Sequence, residues 1–174
     1  MTASRSQVDW GAAIEGAPHF TLNELIASGT AAAYGLDNRP GPETRRRLRF
    51  LAATLLEPVR RQFGPLLVLS GYRSPEVNWF VSLSRTSRHC RGEAADVRPA
   101  QGGRSLLEIV AFVHDNLSFQ EMIAEYLPAG WIHLACRVDG PPARRLKVQN
   151  QNEPLRDITL PQLREMFSNS EMLQ

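Results

Sequence analysis

Leu48, Leu51, Leu55 and Val59 recur at steps of three and four residues, and the stripe stops at Gly64-Pro65. That spacing sets the four side chains on one face of a helix, which must lie against a core. Pro42 suits the first turn of this helix, which runs to about Gln62. The next four residues, Leu66 to Leu69, are apolar without a gap and read as a buried strand. This break from helix to strand sets the pattern for the rest of the chain. Upstream, Thr21 and Glu24 have capping-box spacing before Leu22, Leu25 and Ile26. A loop is expected from Gly29 to Gly41. Downstream come a turn at Ser70 to Pro75, a short helix from Glu76 to about Leu83, and a polar loop from Ser84 to Gly92. Strands are expected at Glu93–Arg98, Phe119–Tyr126, Trp131–Cys136 and Leu146–Gln149, with helices at Leu106–Leu117 and Leu160–Phe167. Helices first and last with adjacent strands between predict an α+β fold, a small antiparallel sheet packed with helices.

At 174 residues, 43% hydrophobic and 22% charged, the chain can close one core without staples. Residues 1–174 are therefore expected to form a single domain, with 1–17 as a loose arm and 141–174 as a C-terminal extension. The net charge is only +2, although 19 of the 20 basic residues are arginines. Arg45, Arg46, Arg47 and Arg49 cluster on the long helix and read as a solvated face, so no nucleic-acid partner is expected. No run of 18 apolar residues is present, and no membrane segment or signal peptide is expected. The expectation is cytoplasmic synthesis. Cys90 and Cys136 make no disulfide framework and read as small buried hydrophobes.

The chain has four histidines. His114 falls within an amphipathic helix and His19 just before a helix cap; neither has a partner pattern. His89 closes a polar loop, and Asp96 follows seven residues later in a strand of small residues, with Gly92 between them. A carboxylate in a half-buried strand is costly unless it is paired or holds a metal. His133 sits in the apolar strand Trp131-Ile132-His133-Leu134, where it too needs a partner. Two histidines and one carboxylate make a three-ligand set that leaves a fourth position for water, the plan of a catalytic zinc site. On the residues alone, a second arrangement stays open, in which Asp96 pairs with Arg98 or Arg73 and the histidines are merely packed.

The motifs together resemble the zinc D-Ala-D-Ala carboxypeptidase family of metallopeptidases, in particular its phage and prophage branch. Ser70-Gly71-Tyr72-Arg73-Ser74 is followed by Asn78, then by Ser87-Arg88-His89 through Gly92, Ala94 and Asp96, then by Trp131-Ile132-His133. The resemblance reaches back to His19-Phe20-Thr21 and Leu36-Asp37-Asn38 and spans about residues 18–136. It implies a hedgehog/DD-peptidase-like fold and one Zn²⁺ held by His89, Asp96 and His133. It also implies that Arg73 lies beside the metal, on a substrate carboxylate or the developing oxyanion, and that Tyr72, Ser87 and Asn78 shape the substrate site. For Tyr72 and Asn78, fixing the turn is the other reading.

The sequence departs from the family pattern at Gly130, where many members carry an acidic general base three residues before the last histidine. The nearby carboxylates are Glu121 and Glu125. Glu125 matches the glutamate that ends the preceding strand in the phage-type branch, and it is the expected base. A glycine pair that often follows the asparagine is replaced near Ser82-Leu83. The implied activity is hydrolysis of peptide bonds in peptidoglycan stem peptides, by a carboxypeptidase or an endopeptidase. Release by phage lysis, or carriage in a phage particle, would bring such a protein to the wall. Gly130 instead favours a zinc-binding module that has lost its base and only binds wall peptide or serves in a particle.

Overall fold

The computed structural model describes residues 8–82, 84–101, 105–151 and 153–171, with side chains through Ser168. The hairpin β1 (Ala13–Ile14) and β2 (Ala17–Thr21) opens the chain. Ile14 and Ala17 are buried in the core, so the part of the expected arm from Ala13 onward is anchored by its apolar side chains. Helix α1 (Leu22–Ile26) starts at Thr21, whose hydroxyl accepts from the Glu24 amide at 3.2 Å, as the spacing predicts. The expected loop at 29–41 contains a short helix, α2 (Gly29–Tyr34), capped by the Ser28 hydroxyl and stopped by Gly35.

The long helix is α3 (Pro42–Leu51) and α4 (Glu57–Phe63), joined by a π-helical turn over Ala52–Leu56. The turn does not break the stripe: Leu48, Leu51, Leu55, Leu56 and Val59 are fully buried. The arginine-rich stretch finds local partners. Arg46 and Arg47 bond Glu43, Arg47 reaches Glu93 at 2.5 Å, and Arg45 bonds the Pro40 carbonyl.

After β3 (Leu66–Ser70) come α5 (Pro75–Val81), a 3₁₀ turn at His89–Arg91, β4 (Ala94–Pro99) and α6 (Leu106–Asn116). The chain then forms β5 (Glu121–Glu125), β6 (Trp131–Ala135), β7 (Arg145–Gln149), β8 (Arg156–Asp157) and α7 (Leu160–Glu171). The main sheet has six strands in the order β3-β4-β6-β5-β7-β8. Every neighbouring pair is antiparallel except β5 and β7, which run parallel. The start of β7 is fastened beside the start of β5. The Arg144 and Arg145 amides donate to the Phe119 and Gln120 carbonyls, and the Gln120 side chain accepts from the Ala143 amide.

Period-two alternation gives the sheet two unlike faces. Val97, Ile132, Leu134, Met122, Ala124, Leu146 and Val148 are buried in one cluster with Ile109, Val110 and Val113 of α6 and Leu163 and Phe167 of α7. The opposite face carries Asp96, His133, Trp131, Glu121, Ile123, Glu125 and Gln149, and these residues line a cleft of about 780 Å³. No helix among the described residues is long and apolar enough to cross a membrane.

Candidate metal centre and cleft

Register brings the first two candidate ligands together. Asp96 of β4 stands opposite His133 of β6, and Ile123 of β5 stands on the other side of His133. Partners directly opposite in a ladder have Cβ atoms about 5 Å apart, within easy reach for an imidazole and a carboxylate. His89 arrives from the 3₁₀ turn before β4, where Gly92 reverses the chain with φ 71°. A Cβ at Gly92 would also press on the Thr44 carbonyl at 2.7 Å, so this turn can sit against α3 only with glycine.

Three ligand atoms converge. His89 Nε2 lies 3.2 Å from His133 Nδ1 and 3.3 Å from Asp96 Oδ1, and His133 Nδ1 lies 2.8 Å from Asp96 Oδ1. Zinc bonds of about 2.0–2.1 Å in a tetrahedral site hold ligand atoms about 3.3 Å apart, so the group matches the size of the ion. The tautomer of His89 agrees. Its Nδ1 faces the Gly71 carbonyl at 2.7 Å, a contact that only an N–H can satisfy. Nε2 therefore turns its lone pair toward the other two ligands. Burial raises the Asp96 pKa, but its close contacts with His133 and His89 outweigh it and hold the carboxyl well below the usual range. Burial in turn pushes the His89 pKa down, the direction that favours the neutral imidazole a metal ligand requires. The same three residues form a group that could hold a metal ion. The rival pairing of Asp96 with Arg98 or Arg73 is not formed; its close partners are the histidines.

The turn that carries Gly71 is held by a residue that sequence reasoning passed over except as part of a loop. Asn38 donates to the Ile26 and Tyr72 carbonyls at 2.7 and 3.0 Å and accepts from the Ser74 amide at 2.7 Å. A second such residue is Glu93, whose carboxylate accepts from Arg47, Arg88 and Arg91 and ties the His89 turn to α3. Neither has a spacing signal, because the partners come from distant elements.

The chain belongs to the peptidase M15 family. The family described as Peptidase M15 matches residues 18–135, more than half the chain and all three converging ligands. No curated protein sequence matches it. The M15 match ends at β6, so β7, β8 and α7 lie outside it. They nevertheless build part of the cleft: Gln149 and Leu155 line it, and Lys147 pairs with Glu121 at 2.7 Å.

The other expected M15 site residues divide. Arg73, Ser87 and Glu125 line the cleft with the ligands. Arg73 is half-buried, and its buried Nε has no hydrogen-bond partner among the described residues. Burial lowers its pKa while the nearby charges of Asp96, Cys90 and Glu125 raise it. Tyr72 and Asn78 are not among the cleft-lining residues. Tyr72 packs in the hydrophobic core, and its amide donates to the Leu25 carbonyl at 2.7 Å. Asn78 is buried in α5, where it donates to the Ser84 carbonyl. Their contacts are with the core and the neighbouring backbone rather than with the cleft. Leu83, at the place of the absent glycine pair, lies outside the described residues. Trp131 joins the cleft wall rather than the core.

Gly130 has its own explanation. A Cβ there would lie 1.8 Å from the Glu125 carbonyl oxygen and 2.7 Å from that of Tyr126. The β5–β6 connection closes so tightly that a side chain at 130 fits only if this backbone shifts. Besides Asp96, the carboxylates that line the cleft are Glu121 and Glu125 of β5, on either side of Ile123. For Glu121, burial raises the pKa, but the Lys147 hydrogen bond and charge bring it below the ordinary value. For Glu125, burial and the Asp96 charge push the pKa up. Cys136 is buried, with its thiol pushed up to about 12 by burial, and Cys90 is half-buried; both are free.

Proposed function

We propose that this M15 member is a zinc-dependent peptidase that hydrolyses peptide bonds of peptidoglycan stem peptides, as a carboxypeptidase or an endopeptidase. The observation that supports this best is the convergence of His89, Asp96 and His133 in a cleft that also holds two half-buried groups, the Glu125 carboxylate and the Arg73 guanidinium. In this reading His89 Nε2, His133 Nδ1 and Asp96 hold the zinc. When bound, zinc supplies Lewis acidity that activates water and polarises the scissile amide.

Glu125 takes the proton from the attacking water and returns it to the leaving amine nitrogen. A raised pKa suits that double duty, because the group must be both a competent base and a competent acid near neutrality. Arg73 supplies positive charge where an oxyanion forms or where a substrate carboxylate ends, and its unpartnered Nε–H fits such an acceptor. Ser87 lines the wall beside the ligands. Trp131, the cross-strand partner of Glu125, walls the cleft beside it.

A second reading is a zinc-binding module without turnover, favoured by Gly130. One experiment separates the two. Zinc per chain is measured together with release of D-alanine or stem peptides from purified peptidoglycan, for wild type and Glu125→Gln. One zinc per chain with activity lost in the variant supports the peptidase and its base. One zinc with no product from wild type supports the module. A folded protein that takes up no zinc refutes the ligand set.

A further inference from the structure

Helix α5 leaves the cleft at Arg73 and runs out to solvent, and its last three residues are apolar and exposed. Trp79 is 72% exposed, Phe80 51% and Val81 45%. Tyr34 of α2, 62% exposed, stacks on Phe80 with ring centroids 4.5 Å apart and 21° between planes. A soluble domain gains nothing from presenting an indole face to water, and contiguous exposed aromatics of this kind mark binding surfaces. Trp79 also walls a groove of about 630 Å³ lined by Pro75, Asn78, Ser82, Ser84, Arg85 and Cys90. The groove's surface is mainly apolar, and Ser82, Ser84 and Arg85 add hydroxyls and a guanidinium to its lining. Ser82 and Ser84 line both this groove and the metal cleft, so the two are continuous.

We infer that this groove is a saccharide subsite, in which the Trp79 indole stacks on a sugar ring of the glycan strand whose stem peptide enters the metal cleft. The inference rests on the peptidoglycan reading above and extends it from the peptide to the polymer that carries it. The chemistry fits in three respects. A pyranose presents a face of C–H groups that packs on an aromatic ring. Its hydroxyl and acetamido groups, spread around the edge, need donors and acceptors such as Ser82, Ser84 and Arg85. A rigid aromatic also costs little conformational entropy to immobilise, and the Tyr34–Phe80 stack braces the helix that presents it. A flat protein partner would use the apolar surface but leave the hydroxyls and the guanidinium without work. Continuity through Ser82 and Ser84 supplies the geometric link between a glycan on the groove and a peptide in the cleft.

The test uses a peptide-free probe, a four-sugar oligomer of β-1,4-linked N-acetylglucosamine, titrated against the zinc-loaded protein by calorimetry. In parallel, hydrolysis is compared on intact sacculi and on a free stem peptide, for wild type, Trp79→Ala and Trp79→Phe. The expected result is saturable oligomer binding, weakened about tenfold or more in Trp79→Ala and largely kept in Trp79→Phe. Trp79→Ala should cut sacculi more slowly yet match wild type on the free peptide. No oligomer binding by a protein that does cut the free peptide overturns the subsite and leaves the peptidase standing. Oligomer binding that depends on Trp79, without any peptide cleavage, supports the subsite and refutes the peptidase. Oligomer binding that is unchanged in Trp79→Ala overturns the inference. Concentration-dependent self-association that Trp79→Ala abolishes overturns it too, because the patch is then covered by a second copy.

Discussion

Glu121 and Glu125 leave the same face of the same strand, four residues apart, and both reach the same cleft. Their surroundings differ at one decisive place. Beside Glu121 stands Lys147 of β7, 2.7 Å away, which holds that carboxylate ionised and engaged. Opposite Glu125 the β7 residue is Gln149, which carries no charge. Its neighbours are the Asp96 carboxylate and the Trp131 side chain, and its pKa moves up instead of down. A strand outside the M15 match thus gives two chemically identical residues different surroundings: one carries an ion pair, the other faces an uncharged amide. Seen from β5 alone the two positions are equivalent.

Swapping each glutamate for glutamine tests the contrast most severely. Glu125→Gln should lower kcat/KM on stem peptide by about 10²–10⁴-fold, whereas Glu121→Gln should change it by no more than about threefold. If Glu121→Gln proves the damaging change, the assignment is reversed. The pH profile sharpens the same point. With Glu125 as base, kcat/KM falls as pH drops through a value above the ordinary glutamate pKa of about 4.3. Glu121→Gln should leave that acid limb in place.

Removing the metal affects the centre beside which Glu125 sits. Chelation should abolish activity and lower Tm, since a ligand at 100 times its Kd stabilises the folded state by about 2.7 kcal/mol. His133→Ala should show no further loss of Tm on chelation, as scanning calorimetry would detect.

The tight turn that joins the Glu125 end of β5 to β6 can be broken next. Gly130→Ala should cost about 1–3 kcal/mol in denaturant unfolding, because its methyl group would displace the Glu125 and Tyr126 carbonyls. Full stability in Gly130→Ala would mean that this backbone is looser than the contacts imply.

The smallest effect is expected at the Glu121 end. Lys147→Met leaves Glu121 half-buried without its cation and should cost about 1 kcal/mol at pH 7. The folded-state pKa of Glu121 is lowered, so its contribution is complete above the unfolded value, about 4.3, and fades as pH falls below it. The gap between Lys147→Met and wild type should therefore narrow from pH 7 toward pH 3, measured by urea unfolding. A gap independent of pH would show that the loss is packing and not charge.

Most of the elements were legible because period and punctuation are local. The leucine stripe, the Gly64-Pro65 stop, the Thr21 cap and the alternation of β5 and β6 each declare themselves within a dozen residues. The helix at 29–34 was missed because its sequence, GTAAAY, has no apolar stripe and is built from the small residues that also fill loops. The parallel partner of β5 was missed for a different reason: strand direction depends on where the connection starts and ends, and Arg144 and Arg145 are fastened to Phe119 and Gln120 by backbone bonds that leave no mark on residue type.

The sequence by itself determined an α+β chain with His89, Asp96 and His133 as candidate metal ligands, because the motifs that hold them are short and ordered. Only the tertiary structure decided which neighbours those residues meet. It set His89 on the Gly71 carbonyl with Asn38 behind the turn, closed the backbone tightly around position 130, sent Tyr72 to the core, and gave Glu121 a lysine while withholding one from Glu125. The physical reason is range. Helix caps and periodic faces act over a few residues, whereas desolvation and charge pairing depend on whatever the folded chain brings within a few ångströms.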